Sequence, residues 1–355
     1  MKGRPAVPTP GTGKIDLRSD TKTVPSARMR LAMSKAEVGD DKAGEDPTVN
    51  RLEEMSAERL GKEAGLFVAS GTMGNLVSIR AQTQPGQEII LEQQAHIYLW
   101  EGGGISAISG LLPRTIAGVH GFMDPDDVEA AISDGSNIHR GATGLVALEN
   151  THNTAGGVAL SVEQTRAVCE VARRHELPVH LDGARIFNAA VAQGVDPAEL
   201  VEPVDSVQFC FSKSLGAPVG SMICGDGELI ERARRVRNLV GGAMRQAGVI
   251  AAAAIVALEN APQRLHEDHE HARAIAETLV ELPGIHVDLD TVQTNMVYLQ
   301  VRREDVDAPS LCRALEAYDI LAIPRDDTSI RLVTHVQVSD EDTEQVCRAL
   351  REVLG

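Results

Sequence analysis

Two short apolar runs, each closing on a charged residue, constrain this chain more than any other feature. Leu177-Pro178-Val179-His180-Leu181 reads as a buried strand ending on Asp182-Gly183. Ser206-Val207-Gln208-Phe209-Cys210-Phe211 reads as a second strand ending on Ser212-Lys213. In open α/β sheets, ligands bind outside the carboxyl ends of the strands. The two runs therefore deliver one acid and one amine to the same crevice. An ion pair at a sheet edge would look the same in isolation. Pyridoxal 5'-phosphate chemistry also needs this pair: a lysine to form the Schiff base and a carboxylate facing the pyridinium nitrogen.

The rest of the chain supplies a fold for that crevice. A helix is predicted over 47–60, with Asp46 as its cap and Pro47 in its first position. A strand over 66–69 leads into a helix from Ser70 through about residue 80, and strands follow over 88–91 and 145–148. The next helix, over 161–175, opens with Ser161 and Gln164 in capping-box spacing. Strands alternating with helices imply an α/β fold with a mostly parallel, doubly wound sheet. Beyond residue 258 a charged helix over 262–282 is followed by strands over 284–289, 295–301 and 329–333, with helices over 309–317 and 340–354. This predicts a flexible leader over 1–13, a large domain with an N-terminal arm over 14–258, and a smaller α+β domain over 259–355. A length of 355 residues suits two such units.

Composition narrows the partners. With 34 basic and 51 acidic residues the net charge is −17, which argues against nucleic acid or an anionic membrane surface. A local basic cluster, Arg232-Ala233-Arg234-Arg235-Val236-Arg237, reads as a solvated or subunit-facing helix surface. Five scattered cysteines form no Cys-x-x-Cys, a pattern that suits a reducing cytosol. The first 13 residues lack the apolar core of a signal peptide, and the longest apolar run, 249–258, is too short to span a bilayer. A cytoplasmic location is expected.

Other residues gather around the strand ends. Ser70-Gly71-Thr72-Met73-Gly74 lies between a strand and a helix, where backbone amides and the helix N-terminus can hold a phosphate. An ordinary capped turn would have the same sequence. His96 and His152 each follow a predicted strand; His96 can stack on a flat ring or exchange a proton, and His152 is a second candidate acid/base group. Arg331 interrupts the apolar strand Ile330-Arg331-Leu332-Val333, and a guanidinium there suits a carboxylate partner. His266, His269 and His271 stand among acidic and basic residues and read as a solvated helix face, so no metal site is assigned. A dinucleotide-binding glycine motif is absent, and Gly13-Lys14 lacks the rest of a P-loop.

Assembled, these segments resemble the low-specificity L-threonine aldolases, fold-type I pyridoxal phosphate enzymes of the β-eliminating lyase group. The resemblance runs through Ile15 to Thr21, Gly44-Glu45-Asp46-Pro47-Thr48, Ser70 to Asn75, Glu149 to Asn153, His180 to Asn188, Met244 to Gly248 and Ile330 to His335. It implies an aspartate aminotransferase-like large domain. Lys213 would carry the Schiff base and Asp182 would pair with the ring nitrogen. Gly71, Thr72 and Met73 would bind the phosphate, which Arg245 would reach from a neighbouring subunit. His96 would stack on the ring, Ser19, Arg185 and Arg331 would clasp the substrate carboxylate, and His152 would lie near the substrate hydroxyl. It further implies a tetramer built as a dimer of dimers.

The expected reaction is retro-aldol cleavage of L-threonine, L-allo-threonine and related β-hydroxy-α-amino acids to glycine and an aldehyde. The alternative is another reaction of the same cofactor: β-elimination, transamination or racemisation. The chain departs from the family pattern at Lys42-Ala43-Gly44, where Val-Tyr-Gly is usual, and at Ser214, where glycine usually follows the lysine. Asn238 and Ala243 are two further departures.

Overall fold

The structure, a computed structural model, describes residues 13–355. The leader expected over 1–13 therefore lies outside the described residues, apart from Gly13. Thirteen strands are described: β1 (Ile15–Asp16), β2 (Ala64–Val68), β3 (Glu88–Glu92), β4 (Leu112–Ile116), β5 (Thr143–Glu149), β6 (Val179–Asp182) and β7 (Ser206–Cys210), followed by β8 (Ser221–Gly225), β9 (Ile285–His286), β10 (Met296–Val301), β11 (Ile320–Leu321), β12 (Ile323–Pro324) and β13 (Ser329–Val333).

Seven of them form one sheet in the order β2-β8-β7-β6-β5-β3-β4. All neighbours run parallel except β8, which is antiparallel to both β2 and β7. Strands β3, β5, β6, β7 and β8 are buried along their whole length, as expected where helices cover both faces of a parallel sheet. Three of them carry a carboxylate at the carboxyl end. β3 closes on Glu92, β5 on Glu149 and β6 on Asp182, and Glu149 lies directly beside Asp182 in register.

Local sequence explains the flanking helices. The helix Pro47–Arg59 starts where Asp46 accepts the amides of Thr48 and Val49. The helix Val162–Arg174 opens on the complete Ser161/Gln164 capping box. The Ala-rich helix Gly248–Asn260 is buried against the helices Ala27–Ser34 and Pro47–Arg59.

A second, separate hydrophobic core belongs to the antiparallel sheet β12-β13-β10-β9 and the helices Leu265–Val280, Ala308–Glu316 and Asp340–Leu354. Ile15 and Leu17 of the N-terminal arm sit in this core, and β1 pairs in parallel with β11. The arm is thus built into the C-terminal layer although it precedes the large sheet in sequence.

Several local expectations change. The strand expected over 284–289 is only β9, because the Asp288 side chain takes the Asp290 amide and turns the chain into a 3-10 segment. The basic cluster is not uniformly solvated: Arg237 is 1% exposed, donates to the Phe67 carbonyl at 2.7 Å and pairs with Asp41 at 3.1 Å. The histidine-bearing helix is likewise two-faced. His266 is exposed, whereas His271 is buried with Nε2 2.7 Å from Asp340, because helical periodicity sets it on the face of Asp268, Ala272 and Ile275.

Candidate active site

The acid comes from β6. Asp182 is buried, and its carboxylate is satisfied on both oxygens: Oδ1 accepts from Gln208 Nε2 at 2.8 Å and the Ala184 amide at 3.1 Å, and Oδ2 accepts from Asn75 Nδ2 at 2.9 Å. Burial pushes its pKa up, but the charges of Lys213 and His96 and the Gln208 amide outweigh burial, so the carboxyl stays below its usual range. Two residues earlier, His180 places Nδ1 2.8 Å from Ser206 Oγ and Nε2 3.0 Å from Asn75 Oδ1. The amide oxygen only accepts, so Nε2 carries the hydrogen. Burial depresses the His180 pKa to about 4, and the ring is neutral at pH 7.

The amine comes from the turn after β7. Lys213 is half-buried, and its carbonyl accepts the Gly216 amide at 2.8 Å. Its positive charge helps to hold both Asp182 and Asp20 below the usual carboxylate range. Asp20 receives two hydrogen bonds of 2.7 Å from Arg185, which stands just before the helix Ile186–Gln193. Arg185 is therefore engaged by a carboxylate of its own chain. Ser19 caps the turn that bears Asp20 by accepting the Thr21 amide at 3.2 Å.

The helix Gly71–Gln82 begins at the carboxyl end of β2, where the Ser70 hydroxyl accepts the Met73 amide at 3.2 Å. A Cβ on Gly71 would stand 2.8 Å from Cys210 Sγ, so glycine lets the helix N-terminus lie against β7. The amides of Gly71 and Thr72 lie ahead of the first intrahelical donor, the Gly74 amide that bonds the Ser70 carbonyl, which leaves them for an outside anion.

The two histidines differ in availability. His96 is 29% exposed in its side chain, with Nδ1 3.0 Å from Glu101 Oε1, and its amide donates to Glu149 Oε2 at 2.6 Å. His152 is 1% exposed; Nδ1 accepts the Ala155 amide at 3.2 Å and Nε2 is 3.0 Å from Glu92 Oε2. Both nitrogens of His152 are therefore used. Ligand atoms of His96, Glu101 and Asp182 lie within 4.8 Å of one another. Asn75 Nδ2 bridges the two carboxylates, 2.9 Å from each, so hydrogen bonds already account for that cluster.

Arg331 lies mid-strand in β13. Its Nη1 donates to Asn153 Oδ1 at 2.7 Å and its Nη2 to the Arg18 carbonyl at 3.4 Å, and its buried Nε has no partner among the described residues. Burial lowers its pKa. Arg245 is exposed, with Nη1 2.7 Å from Asp40.

A family model described as beta-eliminating lyase matches residues 16–302. The low-specificity L-threonine aldolase 1 of Arabidopsis thaliana is 46% identical over 345 residues, 96% of each chain. The low specificity L-threonine aldolase of Escherichia coli is 43% identical over 344 residues, covering 96% of this chain and 99% of that one. This chain belongs to the threonine aldolases of the beta-eliminating lyase family. A solved threonine aldolase of Leishmania major shares the fold, with a TM-score of 0.82 at 19% identity over 96% of this chain and 100% of that one.

In this threonine aldolase, Asp182, Lys213, His96 and Arg185 share strand ends and adjoining loops, and Arg331 of β13 neighbours Arg185 and Asp20. Asp20, Asn75, Glu101 and Gln208, to which the sequence gives no role, hold Arg185, Asp182 and His96 in place. Gln208 carried a signal, since a lone amide inside Ser206-Val207-Gln208-Phe209-Cys210 has to meet a polar partner.

Proposed function

We propose that this threonine aldolase cleaves β-hydroxy-α-amino acids, L-threonine and L-allo-threonine among them, to glycine and an aldehyde, with pyridoxal 5'-phosphate as cofactor. Arg331 carries the reading: a largely buried guanidinium with no carboxylate partner among the described residues. A buried cation without an anion is costly, and the carboxylate of an amino-acid substrate would complete it.

The residues present fit the cofactor. Asp182 is a buried carboxylate kept charged, and Gly71 opens a helix N-terminus that a larger residue would displace. Lys213 would hold the cofactor covalently and Asp182 would meet its ring nitrogen. Gly71, Thr72 and Met73 would line its phosphate, the amides of Gly71 and Thr72 supplying the free donors and Arg245 of a neighbouring subunit a charge, and His96 would lie against the ring. When bound, the cofactor supplies an electron sink for the pair left on Cα as the Cα–Cβ bond breaks.

The chain's own groups set the rest. Arg331 fixes the substrate carboxylate, assisted by Ser19 and by the donor of Arg185 that Asp20 leaves free. Fixing the substrate in this way contributes on the order of 7 kcal/mol in favourable cases. The β-hydroxyl proton needs an acceptor, and His96 is the better placed of the two histidines. In the neutral His96 ring the Glu101 carboxylate holds the hydrogen on Nδ1 and leaves the Nε2 lone pair free. The closed hydrogen bonds of His152 suit a role in holding the loop after β5 against Glu92.

The same reading divides the chain at about residue 258 into a cofactor-binding domain and a small domain. It places the protein in the cytoplasm as a homotetramer. The resemblance to the family supports this, as do five cysteines that are all free and buried. No described helix is long and apolar enough to cross a membrane.

The test is acetaldehyde release from L-threonine and L-allo-threonine by the cofactor-loaded protein. Release is expected from at least one, and Lys213→Ala should abolish it. Ammonia and a keto acid in place of aldehyde would overturn the aldolase reading.

A further inference from the structure

We propose that the Asp20 carboxylate is a positioning group that fixes Lys213 relative to Arg185, with the Ser214 hydroxyl as the link between them. The inference rests on the reading of Lys213 as the residue that holds the cofactor. Donors from three segments converge on Asp20, which is fully buried. Arg185 Nε and Nη2 each approach at 2.7 Å, Ser214 Oγ at 2.9 Å and Asn295 Nδ2 at 3.4 Å. Asn295, just before β10, also donates to Ser214 Oγ at 3.2 Å and to the Thr334 carbonyl at 2.9 Å. The N-terminal arm, the turn after β7 and the small sheet thus meet at one carboxylate.

Ser214 directly follows Lys213. Anchoring its hydroxyl therefore limits how the Lys213 peptide can turn, and it does so from the same oxygen that accepts Arg185 Nε. The charges around Lys213 come from separate elements. Asp182 on β6 and Asp20 on the arm are negative, and Arg185 and Arg331 are positive neighbours of Asp20. A hydroxyl donor to Asp20 disperses part of its negative charge. Without it, Asp20 acts more strongly on the nitrogen of Lys213 and favours the protonated form of that centre. Ser214 therefore acts on geometry and on charge together.

The experiment is a pH titration of the visible absorbance of the pyridoxal phosphate-loaded protein, with cofactor affinity measured on the same samples. For Ser214→Ala the midpoint is expected to rise by on the order of half a pH unit, the effect of removing one hydroxyl donor from a neighbouring carboxylate. Cofactor affinity should fall a few-fold, and Ser214→Thr, which keeps the hydroxyl, should restore both. Asp20→Asn should move the midpoint the opposite way where that variant folds. A Ser214→Ala titration superimposable on the wild type, with unchanged cofactor affinity, overturns the proposal while leaving the lysine assignment intact. A visible band that survives in Lys213→Ala overturns both.

Discussion

Arg185 and Arg331 are neighbouring cations, the first buried and the second partly buried, that the fold treats in opposite ways. Arg185 spends two donors on Asp20, and although burial works against its charge, the carboxylate more than compensates. Arg331 meets only an amide oxygen and a backbone carbonyl, and burial prevails. One guanidinium is complete within the folded chain. The other is complete only with an added anion. A cation held unpaired is a reserved binding position; a cation held by a buried carboxylate is part of the scaffold.

The sharpest way to break this contrast is to remove the scaffold's anion. Asp20→Ala leaves Arg185 buried without its partner and should cost about 3–5 kcal/mol in urea unfolding, the usual penalty for half of a buried pair. A loss under about 1 kcal/mol would mean that Arg185 relaxes into solvent and that the two arginines are alike. Arg185→Met should lose stability for the converse reason, since Asp20 then lacks its main donors.

The same exchange at Arg331 should behave differently. Arg331→Met removes a desolvated charge that no carboxylate balances, so unfolding stability is expected to hold or rise. Substrate binding should weaken by roughly 10- to 100-fold in KM, the range of about 1.5–3 kcal/mol for hydrogen bonds to a charged group. Unchanged KM with lost stability would reverse the assignment of the two arginines.

His180 extends the rule to a buried group that avoids charge altogether. Its folded pKa of about 4 lies below the ordinary histidine value, so the unfolded chain binds the extra proton first as pH falls. Its stabilising contribution is therefore present above about pH 6.5 and fades toward pH 4, a loss on the order of 2 kcal/mol by pH 5. Urea unfolding at pH 7 and pH 5 measures it, and His180→Asn should flatten that part of the profile. Asp20, depressed in the other class, should hold its contribution throughout that window and lose it only in stronger acid.

These contrasts mark where the sequence could be read. Asp182 and Lys213 were visible because each ends an apolar run, and strand ends fix where a side chain goes. Arg331 was visible because a cation stands out within β13. Their partners were not, because pairing across 165 residues, as between Asp20 and Arg185, leaves no trace in periodicity. Asn75 and Glu101 are equally silent: each lies in a helical or loop segment where a polar residue needs no explanation. The arm's place in the second core escaped notice because two short apolar positions, Ile15 and Leu17, carry no period at all. The four-residue face shared by Asp268 and His271 was obscured by interleaved charge, although helical spacing encoded it.

Arg245 and Asp40 supply the control for all of this. Their 2.7 Å contact matches the Arg185–Asp20 distance, but Arg245 is 61% exposed in its side chain and Asp40 31%. Distance alone would rank the two pairs as equals. Solvent should separate them, because water and salt screen the outer pair and replace its hydrogen bonds when it breaks. Asp40→Asn is therefore expected to change unfolding stability by no more than about 1 kcal/mol, with the difference shrinking further in high salt. A loss as large as that of Asp20→Ala would mean that the Asp40–Arg245 contact is buried in the assembled protein. Repeating the measurement across protein concentrations would then show whether a neighbouring subunit does the burying.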